Sequence, residues 1–78
     1  MDIDALPRIV SEVLGIPLEG VSETLSSDET PEWDSLNHLR LITALEEELS
    51  IQLTMDEVVA AKTTYGNLRD IVSKRMHN

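Results

Sequence analysis

The sequence predicts a small all-α domain: a four-helix bundle with three longer helices and one short helix. Apolar residues recur at three- and four-residue spacing, alternating strand patterns are lacking, and capping residues precede the periodic segments. The chain has 78 residues, so we expect a single domain over residues 1–78, near the size at which one core is only just sufficient. The expected helices cover about residues 4–14, 35–49, 55–61 and 65–76, with a long loop over residues 15–34.

The first predicted helix has one apolar face with helical spacing. Its members are Ile3, Leu6, Ile9, Val10, Val13 and Leu14. Pro7 is compatible with a start near Asp4, because a proline in the first turn removes no intrahelical hydrogen bond. Gly15 and Pro17 are expected to end the helix. The long loop then needs apolar anchors, and we expect four of its residues to pin it across the helices. These are Ile16, Leu18, Val21 and Leu25.

Polar residues near the end of this loop have the alternating spacing of a calcium-binding loop. They are Asp28, Thr30, Glu32 and Asp34. We expect no metal there, because the sixth position is not glycine and Leu39 stands where a bidentate Glu is needed. The chain has no cysteine, so neither a disulfide nor a thiolate zinc site can support the core.

The second predicted helix begins after Asp34, whose carboxylate can cap the first turn. Its predicted buried stripe comprises Leu36, Leu39, Ile42, Thr43, Leu45 and Leu49. Leu41 falls outside that stripe, so we predict an exposed side chain that either has no special role or contacts a partner. His38 is also expected to be exposed, and His77, beside the C-terminus, to be frayed.

Two further helices begin at clear capping residues. Thr54 and Glu57 have the spacing of a capping box, which predicts a short helix of about two turns. Thr64 is the expected cap of the last helix, in whose final turn Lys74 and Arg75 complement the helix dipole. With no Phe, one Trp and one Tyr, the core is expected to be aliphatic, built from Leu, Ile, Val, Ala and Met.

The net charge of −9 argues against nucleic-acid binding, which relies on Lys and Arg. Residues 28–57 hold nine acidic side chains and one basic one, Arg40. Such a field favours basic protein partners. The predicted partner-binding residues are Arg40, Leu41, Glu46, Glu47, Asp56 and Glu57. The sequence has no long apolar run and no obvious export signal, so we expect a cytoplasmic protein without a membrane span. We also expect a monomer.

Ser35 is the main candidate for a functional site. It follows Asp34 directly, so its hydroxyl is expected to be exposed in the first turn of the second helix. Free backbone N–H groups and the positive end of the helix dipole favour an anion there, and the position suits a phosphate-linked group. Ser35 and His38 could also form a nucleophile and base, but the sequence shows no third member and no oxyanion hole. We therefore expect no catalysis.

Four segments resemble an acyl carrier protein in their order and spacing. They are residues 33–36 (Trp-Asp-Ser-Leu), 44–49, 55–57 and 64–68. The resemblance covers essentially the whole chain and implies a bundle of acyl-carrier type. It also implies a 4′-phosphopantetheine arm that a phosphopantetheinyl transferase attaches from coenzyme A to Ser35, between Asp34 and Leu36. The terminal thiol of the arm would hold acyl groups as thioesters, and the chain itself would be non-catalytic.

Two positions depart from the family pattern. Asn37 stands where an acid is common, and Arg40 stands where carriers of fatty-acid synthesis usually have Glu. A positive charge there weakens docking to a basic patch. We therefore expect either fatty acid biosynthesis or a specialised acyl pathway, such as polyketide or modified-lipid synthesis. The implied partners are the transferase and acyltransferases, synthases or ligases with basic docking patches. The alternative is an unmodified acidic adaptor that binds a basic protein partner, in which Ser35 merely begins a helix.

Overall fold

The described part of the chain begins with one turn of 3-10 helix, Ile3–Ala5, and continues as α1, Leu6–Leu14. The computed structural model describes residues 3–76, and the expectation for His77 lies outside them. A proline occupies the first turn of α1, as predicted, where its missing N–H is harmless. The helix ends at Gly15, whose φ of 70° is in the left-handed region that favours glycine.

Residues 15–34 form the long connection to the second helix and include a 3-10 turn, Leu18–Gly20. Three of the four predicted anchors are partly buried against the core: Ile16, Val21 and Leu25. Leu18 is 55% exposed, so the prediction that it pins the loop is wrong. The connection is also fastened to the last helix, because the backbone N–H of Tyr65 donates to the carbonyl of Leu25 at 2.8 Å.

Three helices follow the loop: α2, Ser35–Leu49; α3, Met55–Ala61; and α4, Tyr65–Met76. The predicted caps are confirmed. The Asp34 carboxylate accepts an N–H of α2, Thr54 and Glu57 form a complete capping box, and the Thr64 hydroxyl caps α4. α1 packs mainly on α2, and α3 packs mainly on α4. The predicted all-α bundle is thus confirmed over residues 3–76.

The hydrophobic core contains both aromatic residues of the chain. Trp33 is 1% exposed and Tyr65 is 6% exposed, whereas Met55 is 76% exposed. The prediction of a purely aliphatic core is therefore wrong. Aromatic rings bury more area than any aliphatic side chain, so even a single Trp and a single Tyr form a large share of a small core. The buried apolar residues are Leu6, Ile9, Val10, Leu14, Trp33, Leu41, Ile42, Leu45, Leu49, Ala61, Tyr65, Leu68 and Val72.

The buried side of α2 also differs from the predicted one. Leu41 is fully buried, so it is not the partner contact that we predicted. Leu36 and Leu39 are 59% and 57% exposed. Two stripes with helical spacing overlap in this segment, and the one that faces the core begins at His38, which is also buried. Its members are His38, Leu41, Ile42, Leu45 and Leu49.

Candidate functional site at the start of α2

Ser35 is the first residue of α2, and its side chain is exposed as predicted. Its hydroxyl makes no hydrogen bond with residues 3–76. The backbone N–H groups of Ser35 and Leu36 also lack an acceptor there. The next two N–H groups are occupied: that of Asn37 donates to the Asp34 carboxylate and that of His38 to the Asp34 carbonyl, each at 2.8 Å. Two free N–H groups and the positive end of the helix dipole favour an anion linked to this hydroxyl.

The segment that presents Ser35 is held by its neighbours. The side-chain amide of Asn37 donates to the carbonyl of Glu32 at 2.8 Å, and the backbone N–H of Trp33 donates to the carbonyl of Thr30 at 2.9 Å. An Asp or Glu at position 37 could not donate that amide hydrogen bond. The departure from the family pattern at Asn37 therefore has a structural role that sequence reasoning missed.

His38 lies one turn into α2 and is 4% exposed, so the expectation of an exposed histidine is wrong. The indole Nε1 of Trp33 lies 3.0 Å from Nδ1 of His38, and Nε2 of His38 lies 2.7 Å from the carbonyl of Val58. An indole N–H can only donate, so Nδ1 is the acceptor and Nε2 carries the proton. Since its lone pair is occupied, His38 cannot act as a base for Ser35.

The surroundings of His38 favour this neutral form. Burial lowers the pKa of His38 from its ordinary value of 6.5, and the charge of Lys62 lowers it further, while the hydrogen bond to the Val58 carbonyl opposes the shift. The spacing of His38 with Leu41 and Leu45 was the signal that could have placed it in the core. No sequence signal pointed to Val58 as its partner.

A groove of about 260 Å³ opens between α2 and α3 beside Ser35. It is lined by Ser35, His38, Leu39, Met55, Val58, Val59 and Lys62. The walls are mainly apolar, and the Lys62 side chain makes no ion pair within residues 3–76. The volume of the groove lies below the range of about 300–1,000 Å³ that is typical of pockets for drug-sized molecules.

The predicted acidic contacts divide into two groups. The carboxylate of Glu46 accepts a backbone N–H of the α2–α3 link at 3.0 Å, and Glu57 is bound by Arg75, whose hydrogen bonds lower the pKa of Glu57. Glu47 and Asp56 are exposed and make no ion pair with the described part of the chain. These two carboxylates are therefore the ones that remain available to a partner.

The side of α2 that points away from the core forms what we call the outer α2 face. It comprises Leu36, Leu39, Arg40, Thr43, Ala44 and Glu47. Because all six residues belong to one helix, this face is a shallow surface and not a cavity. Arg40 is exposed and has no ion-pair partner within residues 3–76, although acidic residues surround it in the sequence.

The fold and the site define a small helical protein that displays one serine at a helix start beside an apolar groove and has no catalytic pair there. This is the arrangement expected of a carrier. The chain matches the family model described as phosphopantetheine attachment site over residues 4–72, and it therefore belongs to the phosphopantetheine-binding carrier family. The resemblance found in the sequence is confirmed, and the protein carries covalently attached 4′-phosphopantetheine.

Family membership also sets the general role of the chain. Carrier domains of this family are generally non-catalytic, and they interact with a phosphopantetheinyl transferase and with acyl-processing enzymes. No curated protein matches the chain. None of the helices in residues 3–76 is both long enough and apolar enough to cross a bilayer.

Proposed function

We propose that Ser35 is the attachment residue and that the protein is an acyl carrier. The observation that carries this proposal is the exposed Ser35 hydroxyl at the start of α2, next to two N–H groups without acceptors. In the attachment reaction the Ser35 Oγ forms a bond to phosphorus, the pyrophosphate bond of coenzyme A breaks, and adenosine 3′,5′-bisphosphate leaves. The hydroxyl proton passes to a base of the transferase, because the lone pair of His38 is occupied.

The residues around Ser35 fit the group. A phosphodiester is an anion, and the N–H groups of Ser35 and Leu36 together with the cation of Lys62 provide a favourable field for it. Asp34 holds the helix start rigid through its cap. The bound arm supplies a thiol for thioester formation, and the chain has no cysteine that could compete with it.

The apolar lining of the groove between α2 and α3 favours an acyl cargo over a polar cargo. Leu39, Met55 and Val59 present apolar side chains beside Ser35. An acyl chain that contacts these side chains leaves water without orphaning a polar group of the protein. Leu39 and Met55 are largely exposed in this arrangement, so covering them also removes apolar surface from water.

The outer α2 face supports a specialised acyl pathway. Exposed Leu36 and Leu39 offer an apolar centre, Glu47 offers a negative charge, and Arg40 places a positive charge between them. A purely basic docking patch is repelled by Arg40. The partner acyltransferases, synthases or ligases therefore combine basic groups for Glu47 and Asp56 with an acidic or neutral group opposite Arg40. Polyketide or modified-lipid synthesis fits this pattern better than primary fatty acid synthesis.

Intact-mass measurement tests the attachment site. After incubation with coenzyme A and a phosphopantetheinyl transferase, the wild-type chain should gain the mass of one phosphopantetheine and Ser35→Ala should gain none. Ser22→Ala is the matched control, because Ser22 is an exposed serine of the long loop, and it should be modified like the wild type. An unmodified wild type would favour the acidic adaptor instead, and modification of Ser35→Ala would place the arm elsewhere.

A further inference from the structure

The His38 ring joins three parts of the molecule. Nδ1 accepts from the indole of Trp33 in the loop, Nε2 donates to the carbonyl of Val58 in α3, and the backbone of His38 belongs to α2. Neutral imidazole has one acceptor and one donor, so it satisfies both partners at once. Protonation of Nδ1 would place two N–H groups against each other and break the bond to Trp33.

The Val58 carbonyl needs this partner. It lies in the last turn of α3, where carbonyls lack an intrahelical donor. The N–H of Lys62, which would reach Val58 if the helix continued, donates to Val59 instead, at 3.3 Å. His38 therefore caps the end of α3 from the neighbouring helix.

The same hydrogen bond crosses the seam between α2 and α3, along which the groove lies. Within residues 3–76, the His38–Val58 hydrogen bond is the one hydrogen bond that connects α2 with α3. The strongest packing joins α1 to α2 and α3 to α4, so the bundle is divided along this seam. Both residues line the groove beside Ser35. Trp33, the other partner of the ring, precedes Ser35 by two residues.

We propose that His38 is a positioning residue that couples the end of α3 to the segment carrying Ser35, because the ring keeps both hydrogen bonds only while Val58 and Trp33 hold their positions on either side of it. A cargo that parts α2 from α3 thereby changes how Ser35 is presented to enzymes. The link to cargo rests on the proposed function of Ser35, but the coupling is a property of the unmodified chain. Lys62, directly after α3, is the nearby charged group whose field acts on the ring, and it disfavours protonation.

Hydrogen exchange and NMR on the unmodified protein test the coupling. The chain has a single Trp, so the indole N–H gives one resonance that reports on Trp33. In His38→Leu, exchange of this indole and of the backbone N–H groups of residues 59–62 should both accelerate by about tenfold or more, since two hydrogen bonds are lost. The glutamine of His38→Gln offers a carbonyl acceptor for Trp33 and an NH₂ donor for Val58, so this variant should restore most of the protection at both places. Thr43→Ala, on the outer α2 face, is the control and should change neither.

A pH titration of the wild type gives a second, independent test. The Trp33 indole and the N–H groups of residues 59–62 should shift with one common midpoint below pH 6.5, the ordinary pKa of histidine. The common transition should be absent in His38→Gln. Separate midpoints, or acceleration at Trp33 alone, would overturn the proposal. If His38→Leu fails to fold by circular dichroism, the titration still decides, and its outcome is independent of the mass test on Ser35.

Discussion

The guanidinium of Arg75, in the last turn of α4, lies within hydrogen-bond distance of both carboxylate oxygens of Glu57 in α3: its Nε is 2.9 Å from Oε1 and 3.0 Å from Oε2. Glu57 also accepts the backbone N–H of Thr54 to complete the capping box. One side chain thus fixes the start of α3 and joins α3 to α4. The sequence offered Glu57 as a partner contact, but its carboxylate is occupied within the molecule.

Glu57→Gln should lower the free energy of unfolding at pH 7. Gln still serves in a capping box, so the substitution removes the ionic pair with Arg75 while keeping the cap. Hydrogen bonds from Arg75 lower the pKa of Glu57 in the folded state. The contribution of the pair is therefore present above pH 4.5, the ordinary pKa of Glu, and is lost as the pH falls through the folded-state value. Urea unfolding at several pH values measures it.

Asp56→Asn is the matched control for that experiment. Asp56 precedes Glu57, lies in the same first turn and is exposed without an ion pair in the described chain. Both substitutions remove one negative charge near the N-terminus of α3, so their difference isolates the pair with Arg75. Equal losses in the two variants would show that the dipole, and not Arg75, accounts for the effect.

Leu41→Ala and Leu39→Ala should separate the two sides of α2. Leu41 is fully buried, and its truncation should cost about 2–5 kcal/mol of unfolding free energy because it leaves a cavity. Leu39 is 57% exposed, and its truncation should change stability by no more than about 0.5 kcal/mol. The helix-propensity change is the same in both variants. Similar losses in urea unfolding would contradict the observed burial.

Asp34→Ala should destabilise the protein by about 1 kcal/mol, because the N–H of Asn37 loses its acceptor. Asp34→Asn is the control, since the Asn side-chain oxygen caps a helix about as well as Asp. Thermal unfolding at neutral pH measures both. If Asp34→Asn were as unstable as Asp34→Ala, the charge and not the cap would be the stabilising feature.

These contrasts show which features the sequence could predict. The caps at Asp34, Thr54 and Thr64 involve residues three apart, and local spacing identifies them. The buried side of α2 could not be chosen in this way, because Leu36 and Leu39 compete with a stripe that includes Leu41. That choice depends on how α2 packs against the other helices, above all α1, which local spacing does not show.

The candidate site was predictable to a similar extent. The exposed position of Ser35 could be predicted because Ser35 directly follows an N-cap residue, and capping is a local property. The bond from His38 to Val58 spans 20 residues, and the pair of Glu57 with Arg75 spans 18. Such pairs depend on how helices pack, so the sequence pattern placed His38 on the surface in error and gave no sign that Arg75 binds Glu57.

Arg40→Glu should improve acyl transfer from a fatty-acid-type acyltransferase with a basic docking patch and weaken transfer from the native partner enzyme. Both effects follow from the exposed charge at the middle of the outer α2 face, and both should shrink at high salt. Lys74→Glu is the control: it makes the same change in net charge on an exposed residue of α4. Measurement of kcat/KM at low and high salt distinguishes the variants. A general effect of net charge acts on both variants alike, so an equal response of Lys74→Glu would show that Arg40 does not select the partner. A response confined to Arg40→Glu would show that the outer α2 face selects it.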